Sequence, residues 1–191
     1  MNIGGSKRAG KTTLAKGLWA ELAHLGFRPV IVDGDEVKNA IFGEGKVRQA
    51  KPDSPESLQM HIAASRAITL SIPPLVLQGG GSPIVTATHT RCESVLEAMA
   101  LATRESVPFR FILLENAPID ELIRRVREAP EGDASDVKDS PEPELRESLL
   151  ANCERIQKTY ATFCESHVRI PQGDPANMLA DAVAFVLAGL N

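Results

Sequence analysis

The chain has 191 residues, 43% of them apolar and 24% charged, with a net charge of −4. That length and balance fit one folded domain spanning 1–191 and exclude a disordered chain, while mild acidity and only 4% aromatic residues argue against a general nucleic-acid binder. No apolar run reads as a membrane span and the N-terminus lacks the order of a signal peptide. Three scattered cysteines without a C-x-x-C point to reduced thiols in a cytoplasmic protein without a zinc site.

In chain order, Met1 to Gly4 predicts a very short first strand, followed at once by Gly5-Ser6-Lys7-Arg8-Ala9-Gly10-Lys11-Thr12. This G-x-x-x-x-G-K-T spacing is that of a phosphate-binding loop. Its glycines let consecutive backbone N–H groups approach polyphosphate oxygens, and the helix it opens adds a positive dipole end. Lys11 is placed to reach the β- and γ-phosphates and the Thr12 hydroxyl to ligate Mg²⁺. The residues expected on the nucleotide here are Gly5, Ser6, Lys7, Arg8, Ala9, Gly10, Lys11, Thr12 and Thr13. Leu14, Leu18, Leu22 and Leu25 then form one apolar stripe of a helix, with Gly26 at its C′ position.

Pro29 to Val32 predicts a second strand, which runs into Asp33-Gly34-Asp35-Glu36. Residues just past a strand's carboxyl end face the ligand crevice of a parallel α/β sheet. Alternation in an extended D-x-D puts both carboxylates on one side, so Asp33 can serve the metal and Asp35 the attacking hydroxyl. A turn with a helix N-cap is the competing account of the same residues.

The polar stretch 43–56 predicts a loop on the acceptor side, and Ser57 to Gln78 a helical region kinked or split by Pro73-Pro74. Ile84 to Ala87 is a third strand, and Thr90 to Glu93 has capping-box spacing before another helix. Phe109 to Leu114 is a fourth strand. Ile119 to Arg127 is an amphipathic helix with Arg124, Arg125 and Arg127, and the acidic, proline-bearing stretch 128–144 predicts a loop, so that about 120–144 forms a lid. Within it, Asp120–Arg124 and Glu121–Arg125 are the i,i+4 ion pairs the spacing suggests. Val168 to Ile170 is a fifth strand, and Asp174-Pro175 caps the last helix. Strands alternating with helices imply a three-layer α/β/α fold around a mostly parallel, five-stranded sheet.

The stretch GSKRAGKTTLAKGLWAELAHLGFRPVIVDGDEV resembles the first third of adenylylsulfate kinases. Over about residues 1–40 the resemblance implies a P-loop kinase fold and MgATP held through Gly5 to Thr12. It also implies contact of Asp33 with the metal and phosphates and of Asp35 with the acceptor hydroxyl. The later motifs of those kinases are absent. From Thr86 onward the chain looks more like zeta-toxin-like and polynucleotide-kinase-like P-loop kinases, but with Val85-Thr86 where their third strand carries an acid. Kinases of this kind place lid arginines over the transferring phosphoryl group, which nominates Arg124 for transfer and Arg125 for the nucleotide. They often hold adenine at the position of Gln172-Gly173. His89, Arg91 and Arg66 are the candidate acceptor ligands beside Asp35. The same resemblance allows for a homodimer, although no stretch of the sequence marks an interface.

The expected activity is transfer of the γ-phosphate of ATP, with Mg²⁺, to a hydroxyl of a small molecule. Two alternatives stand beside it. One is a polynucleotide or tRNA hydroxyl kinase using Lys46, Arg48 and Lys51. The other is an adenine-nucleotide switch, since the N-K-x-D and D-x-x-G strings of a guanine switch do not occur.

Overall fold

The structure, a computed structural model, describes residues 1–43, 54–88, 92–128, 140–160 and 167–188. Five strands, β1 (Asn2–Gly4), β2 (Pro29–Asp33), β3 (Ser82–Thr86), β4 (Phe111–Leu114) and β5 (His167–Ile170), form one sheet in the order β2-β3-β1-β4-β5. Every pairing is parallel. The shortest strand is thus the central one, and β1 is held on both sides through Asn2↔Val85 and Asn2↔Phe111.

Alternation along the strands builds the two faces. Ile112 and Leu114 of β4 point with Ile3, Ile84 and Ile170 into a core closed by α1 (Lys11–His24) and α8 (Pro175–Leu187), through Leu14, Leu18, Leu22, Ala182 and Val186. Phe111 and Leu113 point the other way, against Val95 of α5 (Cys92–Arg104) and Ile156 of α7 (Glu142–Tyr160). On that same face Val32 and Val85 pack against Ile68. Both faces of the sheet are covered, as its continuous apolar strands require.

Between β2 and β3 the chain makes α2 (Gly34–Phe42), α3 (Pro55–Arg66), a π-helical turn (Ala67–Ser71) and α4 (Ile72–Gln78). The predicted break at Pro73-Pro74 is taken up without splitting the run. Prolines cannot donate to the preceding turn, and the π turn just ahead of them redistributes those hydrogen bonds. By length and composition this helical run of 24 residues would pass for a membrane span, which corrects the expectation that none exists. Here it packs on β2, β3 and α5.

Two further departures concern helices. The acid pair lies at the start of α2, so D-G-D-E is not an extended D-x-D and strand alternation does not relate its carboxylates; Asp33 is the helix N-cap of the competing account and Asp35 lies in the first turn. The acidic stretch expected to be loop up to residue 144 becomes helical at Glu142. The 19-residue α7 was not foreseen, although Leu145, Leu149 and Ile156, all buried, carry its stripe. Leu145 and Leu149 pack against Leu122, Ile123 and Val126 of α6 (Ile119–Arg127). The expected acceptor-side loop lies largely, and the lid's 129–139 wholly, outside the described residues, as does the capping residue Thr90.

Candidate nucleotide and acceptor site

The carboxyl ends of the strands converge on one edge, and the phosphate loop leaves β1 there. Gly10 takes a left-handed φ of 91° at the N-cap of α1, a position that would strain any residue with a Cβ. No side chain caps this helix, and its first-turn N–H groups have no intrahelical acceptor, which is the arrangement that receives an anion. Arg8 is also left-handed, with φ of 63°, and carries that strain without being glycine. Ser6 and Ala9 are buried beneath the loop.

Lys11 folds back over the loop, its Nζ donating to the carbonyls of Ser6 at 2.7 Å and Gly5 at 3.2 Å. Burial lowers its pKa to about 8, against the pull of Asp35 and Asp33, which raise it, while Lys38 and Lys7 lower it further. Among the described residues this ammonium bonds only carbonyl oxygens and no carboxylate, and a polyphosphate would supply a partner of full charge.

Asp33 ends β2 and serves four donors. Its Oδ1 accepts the N–H groups of Asp35 at 2.9 Å and Glu36 at 3.3 Å, which caps α2. Its Oδ2 accepts the hydroxyl of Thr12 at 3.0 Å and that of Thr86 at 2.7 Å. Asp33 and Thr12, each expected at the metal, are thus bonded to each other, and sequence reasoning missed Thr86, which it took only as the place of an absent acid. The register partner Asp33↔Thr86 brings the two together.

Asp35 lies in the first turn of α2, 77% exposed, with Oδ1 bonded to Lys38 Nζ at 2.9 Å. Partial desolvation pushes its carboxyl up. The Lys38 ammonium, by charge and hydrogen bond, outweighs that with help from Lys11 and Lys7, and the pKa ends below the ordinary carboxylate value. Asp35 and Lys11 lie within electrostatic reach of each other, each favouring the other's charged form. Lys38 had not been singled out, although its i,i+3 spacing from Asp35 was visible.

On the opposite side of the loop, Arg125 donates through one nitrogen to the Arg8 carbonyl and to Gln172 Oε1, both at 3.0 Å, and through Nε to Glu121 at 2.7 Å. Gln172 donates to the carbonyls of Ala9 at 3.1 Å and Glu115 at 2.9 Å. Two predicted nucleotide-side residues, Arg125 and Gln172, thus meet on the loop itself. Gly173, beside them, has open space where a side chain would be. Arg124, nominated for transfer, is placed differently: its guanidinium is taken up by Glu121 and Glu128 on its own helix surface. Asp120, expected to pair with it, bonds Arg146 instead. Lys7, Thr12 and Thr13 lie on or beside the loop as expected. Arg66 is exposed at the end of α3, and His89 and Arg91 lie outside the described residues. Among those residues no cluster of His, Cys, Asp and Glu forms a metal cage, so an ion here would depend on the nucleotide for part of its shell.

A parallel sheet with a phosphate loop after its central strand β1 and an acid pair after β2, the strand beyond β3, defines a P-loop nucleotide-binding domain of the kinase-like type. A family profile described as an AAA domain matches residues 3–149, and the chain belongs to that family. Among solved structures, the tunicamycin resistance protein of Deinococcus radiodurans is similar at a TM-score of 0.59 and 14% identity, covering 97% of this chain and 94% of that one. A gluconokinase from Sinorhizobium meliloti 1021 is similar at a TM-score of 0.59 and 14% identity, covering 100% and 93%. At such identities the likeness is one of fold. No protein of curated function matches in sequence.

Proposed function

We propose that the chain is an ATP-dependent phosphotransferase that moves the γ-phosphate of MgATP to a hydroxyl of a small molecule. The observation that carries this reading is Asp35: an exposed carboxylate in the first turn of α2, within the electrostatic reach of Lys11 and, among the described residues, bonded through its side chain to Lys38. A nucleotide switch would have no use for it. The likeness of fold to a gluconokinase, a kinase by name, lends support.

In this reading the loop from Gly5 to Thr13 cradles the phosphates, with Arg125, Gln172 and Gly173 on the nucleotide's far side. Lys11 leaves its two carbonyls for the β- and γ-oxygens. The hydroxyl of Thr12 is a hard oxygen donor that suits Mg²⁺, and the Asp33 carboxylate, which accepts the Thr12 proton, would hold that hydroxyl toward the ion. When bound, the ion would neutralise charge on the phosphates. Asp35 orients the acceptor hydroxyl for in-line attack. The new O–P bond forms as the bond to the β,γ-bridging oxygen breaks, ADP leaves, and the hydroxyl proton passes to Asp35. A carboxylate held below its usual pKa is a weak base, and it suffices because little deprotonation is needed in a loose phosphoryl-transfer transition state. Lys11 and Arg125 spread the charge on the transferring group.

The test is transfer of labelled γ-phosphate from MgATP to a panel holding adenylylsulfate, nucleosides, amino sugars, sugar acids, hydroxy amino acids and a 5′-hydroxyl oligonucleotide. Label moving to a small molecule upholds the reading, and adenylylsulfate as that molecule would extend the resemblance of residues 1–40 to substrate. Label moving only to the oligonucleotide, or only to water, overturns it.

A further inference from the structure

At the end of β3 this chain has a threonine whose hydroxyl is put to use. Thr86 is buried, 2% exposed, in register with Ile3 of β1 on one side and Asp33 of β2 on the other. Its Oγ1 donates to Asp33 Oδ2 at 2.7 Å, and Thr12 Oγ1 donates to the same oxygen at 3.0 Å. With two backbone N–H groups on Oδ1, Asp33 receives four donors, which matches the roughly four lone-pair sites of a carboxylate. Its acceptor capacity is therefore full before any ion arrives.

Two consequences follow. Asp33 is fixed at both oxygens and cannot swing toward the phosphates without breaking a bond to Thr86 or Thr12. The Thr12 proton is committed to Asp33, so the lone pairs of Thr12 Oγ1 are left for a cation. Gly34 makes the arrangement possible. A Cβ there would lie 3.1 Å from the Thr86 carbonyl oxygen and 3.4 Å from Ile68, so a side chain at this position would press the end of β2 away from the end of β3.

We propose that Thr86 is a positioning residue of the metal–nucleotide site. Its buried hydroxyl holds Asp33 as the acceptor of the Thr12 proton, and the Mg²⁺ dependence of ATP binding rests on that hold. The inference rests on the reading of the site as one for MgATP. It separates from that reading because it concerns the coupling between metal and nucleotide and not phosphoryl transfer.

The experiment measures ATP affinity by calorimetry in Mg²⁺ and in EDTA, with thermal melting in parallel, for the wild type, Thr86→Val and Thr86→Ser. Loss of an outer-shell partner commonly lowers metal affinity about 10- to 100-fold. Thr86→Val should keep its metal-free ATP affinity within about twofold and lose about tenfold in Mg²⁺, and Thr86→Ser should restore most of it. Thr86→Ala asks the same question if the valine protein does not fold. Retention of the full Mg²⁺ gain in the hydroxyl-free variants, or equal losses with and without Mg²⁺, overturns the proposal and leaves the kinase reading standing. Absence of any Mg²⁺ gain in the wild type instead overturns the reading of the site, and the proposal with it.

Discussion

Lys11 illustrates how a single residue can be prepared for its ligand. Its ammonium is turned onto two loop carbonyls and desolvated there, and burial lowers its pKa to about 8. A bound polyphosphate favours the charged form and raises that pKa again. The sign is then fixed. Below pH 8 the lysine is already charged and binding takes up little proton. Near pH 8 the free protein is half protonated, so binding should take up about half a proton. Above that, affinity should fall as pH rises. Calorimetry in buffers of different ionisation enthalpy reads this uptake directly, and a flat, near-zero uptake from pH 7 to 9 would rule the account out. Lys11→Ala should remove the uptake and lower transfer at least about a hundredfold. Asp35 makes the complementary case. Because it touches neither the loop backbone nor Thr12 in the bonds described, Asp35→Ala should leave MgATP affinity within about threefold while transfer falls about a hundredfold or more. Full transfer by that variant would remove Asp35 from the mechanism.

At the scale of elements, α6 is tied to the phosphate loop through Arg125. Arg125 holds the carbonyl of the strained Arg8 and the side chain of Gln172, while Arg124 is spent on Glu121 and Glu128 at the surface. Exposed ion pairs of the latter kind contribute little. Transfer should therefore fall at least about tenfold in Arg125→Ala and change less than about threefold in Arg124→Ala, and the reverse order in steady-state kinetics would return the transfer role to Arg124. The sequence showed that this helix carries arginines, but not which of them faces inward, because neighbours on a helix differ by about 100° and only the packing of Leu122, Ile123 and Val126 sets the zero of that angle. Other elements were legible for equally local reasons. The loop, the stripe of α1, the Asp174 cap and the strands are short-range patterns. Helix α7 was obscured because its first turn, Glu142 to Leu145, shares the acidity and prolines of the stretch before it, and its apolar stripe gains meaning only against α6. Thr86 was invisible for a different reason: its role is a contact between strands 53 residues apart in the chain.

For the molecule as a whole, every strand contributes at its carboxyl end to the same edge. The phosphate loop follows β1, Asp33 ends β2, Thr86 ends β3, Glu115 follows β4 and Gln172 follows β5. A ligand seated there bridges all five strands, including the three-residue β1 on which the sheet is centred. Binding should therefore stabilise the fold as one unit and not a single loop. At 100 times its dissociation constant a ligand adds about 2.7 kcal/mol to the stability of a two-state protein. For a chain of this size that corresponds to a rise in Tm of roughly 5–10 °C. The single tryptophan, Trp19, is a suitable reporter. Its Nε1 donates to the Pro29 carbonyl at 2.9 Å and so ties α1 to β2, and it lies two helical turns beyond Thr12. A melt followed by Trp19 fluorescence should move upward with MgATP, less with ATP in EDTA, and hardly at all in Lys11→Ala. A shift confined to far-ultraviolet helix signal, with the Trp19 transition unmoved, would mean that nucleotide orders a local segment and that the five strand ends do not act together.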